Sequence, residues 1–159
     1  MTISEKRKLL LAQMEEHLRS VERSLDALTY SYEKCRGIGE KEHYDLEEQE
    51  SYEALTSRFA RTSDILTQKV LKTFYIFMQE DIKTNIDGAN FLEKQGIISH
   101  ADDLLNIREI RNQIAHEYVE MQLPSLFSDV LRHVPPLREV IAKVREFLAG
   151  KMPFTEVRQ

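Results

Sequence analysis

The sequence predicts an all-α protein, an up-and-down helical bundle with short additional helices. Three observations point there. Apolar residues recur at spacings of three and four over long stretches, glycines and prolines punctuate those stretches, and no segment alternates with the period of two that a half-buried strand requires. At 159 residues the chain suits one domain, residues 1–159, long enough to bury a core.

The first helix is marked by Leu11, Met14, Leu18, Val21, Leu25, Leu28 and Tyr32, an apolar seam down one face with charged residues filling the rest. About three heptads are sustained, which favours one helix of a bundle over a free coiled coil. Gly37 and Gly39 are placed to end it. Residues 37–50 then read as an acidic, poorly periodic connection.

A second long helix is expected from near Ser51. Leu55, Phe59, Leu66, Val70, Phe74 and Phe77 share a face, and Ile65, Leu71, Tyr75 and Met78 widen the apolar arc, as in a helix central to a bundle. Its early turns carry Arg58 and Arg61 three apart, either a solvated edge or one facing phosphate. Gly88 and Gly96 bracket a short helix over "ANFLEKQ". The next helix spans about residues 100–121, with Ser99 as N-cap and Asp102 and Asp103 facing the positive end of the dipole. Pro124 is placed to begin the following helix and Pro135-Pro136 to interrupt it. A last amphipathic helix turns Leu137, Val140, Ile141, Val144, Phe147 and Leu148 inward.

Charge and composition exclude several functions. The net charge of −5 arises in residues 1–53, where 13 acidic residues face 8 basic ones; the remainder is balanced. An acidic chain is a poor general binder of nucleic acid, so an RNA role requires a local cationic spot or a face built by oligomerisation. No apolar run approaches a membrane span or a secretion signal, and the single Cys35 rules out an internal disulfide, which suits a reducing cytoplasm. His17, His43, His100 and His133 have no partners at metal spacing, and no Gly-rich phosphate loop, Ser-His-Asp set or Cys-His cluster appears, so neither a metal nor a cofactor is expected.

The informative stretch is "IREIRNQIAHEYVE", residues 107–120. Ile107, Ile110, Ile114 and Tyr118 form its core stripe, with Arg111 on the edge and Tyr118 nearly above it. His116 lies about 140° round the helix from Arg111. Asn112 stands four residues before His116 on the same face, where its amide can bond the imidazole. Leu105, Ala115 and Val119 add a second apolar strip, suited to packing against another copy of the chain about a two-fold axis. Each residue also has a structural reading: His116 as a surface histidine beside Asn112 or Glu120, Arg111 as an edge residue paired with an acid, Tyr118 as a core tyrosine with its hydroxyl at the rim.

Arg111 to Tyr118 matches R-x4-H-x-Y with a polar residue directly after the arginine. This resembles the signature of the HEPN family, specifically the toxins paired with a minimal nucleotidyltransferase antitoxin. The likeness extends over roughly residues 51–150 and, more loosely, the first helix. The resemblance implies a HEPN-like four-helix core and a homodimeric, metal-independent endoribonuclease. His116 would be the general acid or base, Arg111 would hold the scissile phosphate, and Asn112 would orient one or the other. Tyr118 would be the residue onto which the antitoxin transfers AMP. Apart from the resemblance, Arg58, Arg61 and Arg108 are candidates for contact with RNA phosphates. The alternative is a non-catalytic HEPN-like adaptor that binds a nucleotidyltransferase and presents nucleotide or substrate to it.

Overall fold

A computed structural model describes residues 1–120 and 123–151 and, for 117–120, the backbone alone. The chain is an all-α bundle, with no strand among the described residues. Its helices are α1 (Ile3–Ile38), α2 (Leu46–Ile65), α3 (Leu71–Phe77), α4 (Asn85–Lys94), α5 (Ala101–Glu120) and α6 (Leu123–Ala149). Leu66–Val70 is a π-helical turn that joins α2 to α3 without a break. Helices α1, α2, α5 and α6 are the long members, and α4 packs against α5.

Helix α1 starts at a capping box: the Thr2 hydroxyl accepts from the Glu5 amide while Glu5 accepts from the Thr2 amide. It runs through Gly37 and stops at Gly39, whose φ of 85° only glycine adopts without strain. Tyr52 of α2 fastens this end, its buried hydroxyl lying 2.7 Å from the Gly39 carbonyl and 3.2 Å from that of Cys35. The expected seam is buried at Leu11, Met14, Leu18, Val21 and Leu28, while Leu25 and Tyr32 are only partly covered. Ser31 and Cys35 complete the inward face.

Helix α2 begins five residues earlier than Ser51, because Asp45 and Glu48 form a second capping box. The acidic connection therefore shrinks to residues 39–45. The α1–α2 seam is partly polar. Ser24 and Thr62 share a hydrogen bond at 2.7 Å, and Arg58 donates to the Ser31 hydroxyl at 2.8 Å and the Ala27 carbonyl at 3.2 Å.

Three expectations are corrected elsewhere. Helix α4 starts at Asn85, not after Gly88, because Thr84 and Asp87 form a third capping box. Gly88 lies inside the helix, under Tyr75: a Cβ there would fall 2.7 Å from the phenolic oxygen. Helix α6 continues through Pro135-Pro136 instead of breaking. Two adjacent prolines each remove a helix hydrogen bond. Yet Val130, Val134, Leu137, Val140, Ile141, Val144 and Leu148 all lie buried along one side, and that continuous apolar stripe holds the rod together. Helix α5 takes its first amide bond from Glu93 of α4, at 2.6 Å from Ala101 N, and not from Ser99.

Arg145 of α6 clasps α1 from outside, bonding both Glu15 and Glu22. No helix is long and apolar enough to cross a membrane among the described residues.

Candidate functional site

Helix α5 turns Leu104, Ile107, Ile110 and Ile114 into the core, as its periodicity requires. That rotation sets the rest. Arg111 falls at the boundary between core and solvent, facing α2, and Asn112, Ala115 and His116 are exposed on the outer side.

Arg111 does not reach into water alone. Its Nε donates to Asp64 Oδ1 at 2.8 Å and its Nη2 to Asp64 Oδ2 at 3.1 Å, a two-point fork between α5 and the last turn of α2. Each side chain is about one-third exposed. The hydrogen bonds to Asp64 raise the Arg111 pKa above its usual value, so the guanidinium stays charged at every working pH. Its Nη1 makes no hydrogen bond among the described residues, so the outer edge of the fork remains available to an anion.

This pair forms one wall of a cleft of about 300 Å³ lined by Ser63, Asp64, Thr67, Gln68, Asn85, Arg108, Arg111, Asn112 and Ala115. Thr67 and Gln68 come from the π turn, the kind of helix irregularity that recurs at functional sites. The lining is mostly polar, with Arg108 adding a second cation one turn before Arg111.

The structure thus brings Arg108, Arg111 and Asn112 together at one cleft. His116 is exposed beside it, next to Ala115 at the rim, and no hydrogen bond joins it to Asn112 among the described residues. Tyr118 falls where only the backbone is described, so the expectation for its hydroxyl lies outside the described residues. Arg61 is exposed on α2 and lines none of the hollows near α5. Arg58 sits in a separate groove with Tyr30, Ser31 and Lys34, its guanidinium engaged by α1.

Five residues of the cleft escaped sequence reasoning: Ser63, Asp64, Thr67, Gln68 and Asn85. Asp64 carries no local signal that separates it from an ordinary solvated acid, because its partner is 47 residues away. Thr84-x-x-Asp87 does carry one, a capping box that places Asn85 at a helix start. Among the described residues no group of three or more His, Cys, Asp or Glu is arranged to hold a metal ion. No protein-family model matches the chain, and no curated protein matches it in sequence.

Proposed function

We propose that the chain is a metal-independent endoribonuclease, active in the cytoplasm as a homodimer through α5 and silenced when a nucleotidyltransferase antitoxin transfers AMP onto Tyr118. One observation carries this reading. Arg111, the motif arginine, is held rigidly by Asp64 at the wall of a polar cleft while keeping N–H groups free for a phosphate. A pre-oriented, permanently charged fork is what the trigonal-bipyramidal phosphorane needs, because it is in place before charge develops.

RNA supplies its own nucleophile. The 2′-oxygen attacks phosphorus as His116 takes its proton, and the 5′-oxygen leaves with a proton from the His116 of the second copy. The products are a 2′,3′-cyclic phosphate and a 5′-hydroxyl. Two copies are required because His116 stands about 140° round the helix from Arg111. The exposed, small Ala115 between them allows close approach of a second α5.

The adaptor reading has one observation in its favour: the charge of Arg111 is already balanced by Asp64. Purified protein, shown to be unmodified by intact mass, is expected to cut total cellular RNA, and His116→Ala is expected to abolish cutting while leaving the dimer intact. Wild-type protein that leaves RNA whole under these conditions would hand the case to the adaptor.

A further inference from the structure

The hollows along α5 have a relationship the motif does not announce. The Arg111 cleft adjoins a hollow of about 200 Å³ under Tyr75 and an outer one of about 480 Å³ against the start of α4. All three share Arg108 and Asn85, and the first two also share Thr67. They are compartments of one groove with Arg108 at its centre.

Arg108 differs from most of the other partly buried arginines. Arg58, Arg111 and Arg145 are each tied down by hydrogen bonds, and Arg138, which has none among the described residues, lies over the Tyr32 ring away from the groove. Arg108 has neither a hydrogen bond nor an ion pair among the described residues, although it is half-buried. A guanidinium drawn partly out of water without a partner is costly, and the cost is recovered when an anion arrives.

The far compartment holds two further donors. Lys72 is exposed on one wall, and the Tyr75 hydroxyl has no hydrogen-bond partner among the described residues. Gly88 makes room for that hydroxyl, since any side chain there would collide with it. Burial pushes the Tyr75 pKa up to about 12, so the phenol remains a donor at neutral pH. Acidic groups are present too: Asp64 is bound to Arg111, and Glu109 borders only the outer hollow. The inner path from Arg111 through Arg108 to Lys72 is therefore net cationic in a chain of net charge −5.

We infer that this groove is a track for single-stranded RNA, with Arg108 and Lys72 holding the phosphodiester that neighbours the one on Arg111. The inference rests on Arg111 being a phosphate-holding residue, as proposed above. Residues three apart on a helix have Cβ atoms roughly 5–6 Å apart, a separation that long guanidinium side chains match to successive phosphates of one strand. A compact anion would fill a single compartment and leave the continuity of the groove unused.

The test is equilibrium binding of a fluorescein-labelled, fully 2′-O-methylated decanucleotide, which lacks the nucleophile and is not cut, across a salt series. Arg108→Gln and, separately, the surface variant Lys72→Gln are each expected to weaken binding about three- to tenfold near 0.1 M salt and to reduce the log–log salt slope by about 0.7, one single-strand phosphate contact. Lys6→Gln, on α1 and outside the lining of all three compartments, is expected to change neither. Labelled ATP tested in parallel is expected to bind no better to wild type than to Arg108→Gln. Unchanged slope and affinity in both variants, no oligonucleotide binding by wild type, or an Arg108 effect confined to ATP would each overturn the track. Cleavage of natural RNA by the same wild-type sample separates the two proposals. Cutting with unchanged slopes removes the track alone, whereas altered slopes without cutting remove the ribonuclease reading alone.

Discussion

Arg111 and Asp64 meet through two parallel hydrogen bonds, of 2.8 and 3.1 Å, and so connect α5 to the last turn of α2. As a contribution to stability the pair is small, about 1 kcal/mol at this exposure. As a positioning device it matters more, because it removes the rotamer freedom of a long side chain on the edge of the cleft.

Asp64→Asn keeps the size but loses one acceptor and the charge. The freed guanidinium is expected to bind RNA more tightly but less uniformly, so KM falls while kcat falls about tenfold, as small misplacements do. Steady-state cleavage of a short RNA measures both constants. An unchanged kcat would show that Asp64 does not position Arg111 for chemistry.

Gln79, two residues past the end of α3, holds a positive φ of 58° in the turn that closes the helix. A left-handed backbone costs a side-chain-bearing residue about 1–2 kcal/mol, part of which glycine returns through the entropy of its unfolded chain. Gln79→Gly is expected to raise stability by roughly 0.5–1 kcal/mol in urea titration, with the m-value unchanged. A loss of stability would mean that the turn is held by the glutamine side chain.

Tyr52→Phe tests the closure of α1. The substitution keeps the ring stacked on Phe127, with centroids 4.9 Å apart, and removes only the hydroxyl that bonds Gly39 and Cys35. The expected cost is about 1–2 kcal/mol, since the buried carbonyl of Cys35 still has the Gly39 amide. Hydrogen exchange is expected to accelerate at residues 35–39 beyond the global change.

How much of this was legible in advance depends on the range of each interaction. The seam of α1 and the core stripe of α5 follow from periodicity, and they appear where Leu18 and Ile107 demand. Arg111 could be placed on the helix edge for the same reason. Its partner could not, because nothing near Asp64 in sequence distinguishes it from a surface acid. The starts of α2 and α4 were written in Asp45-x-x-Glu48 and Thr84-x-x-Asp87, yet Ser51 and Gly88 drew the boundaries elsewhere. Pro135-Pro136 misled for a different reason. A local preference worth a few kcal/mol per proline lost to burial of apolar residues on both sides of it.

Cys35 supplies a pH signature. Burial pushes its thiol from 9.0 up to about 11. The folded state thus favours the protonated form, and its stability is expected to be complete below pH 9 and to decline as pH rises towards 11. The loss is on the order of 2 kcal/mol. Tyr75 extends the decline above pH 10. Cys35→Ala should flatten the curve between pH 9 and 11 while lowering the plateau, and native protein at pH 8 should react with a thiol reagent only as fast as it opens. Rapid modification of the folded protein would sink this assignment.

The π turn leaves a mark on the spacing of the chain itself. The Leu71 amide bonds the Leu66 carbonyl, five residues back where an ordinary helix reaches four. The wider turn thereby houses one surplus residue, so the flanking segments keep the phase of a rod one residue shorter. Removing a single residue between 66 and 70 would therefore leave both ends of the rod facing as they do now. What it would erase is the outward bulge of Thr67 and Gln68, making this the one place in the long rod where shortening reshapes the surface and spares the interior.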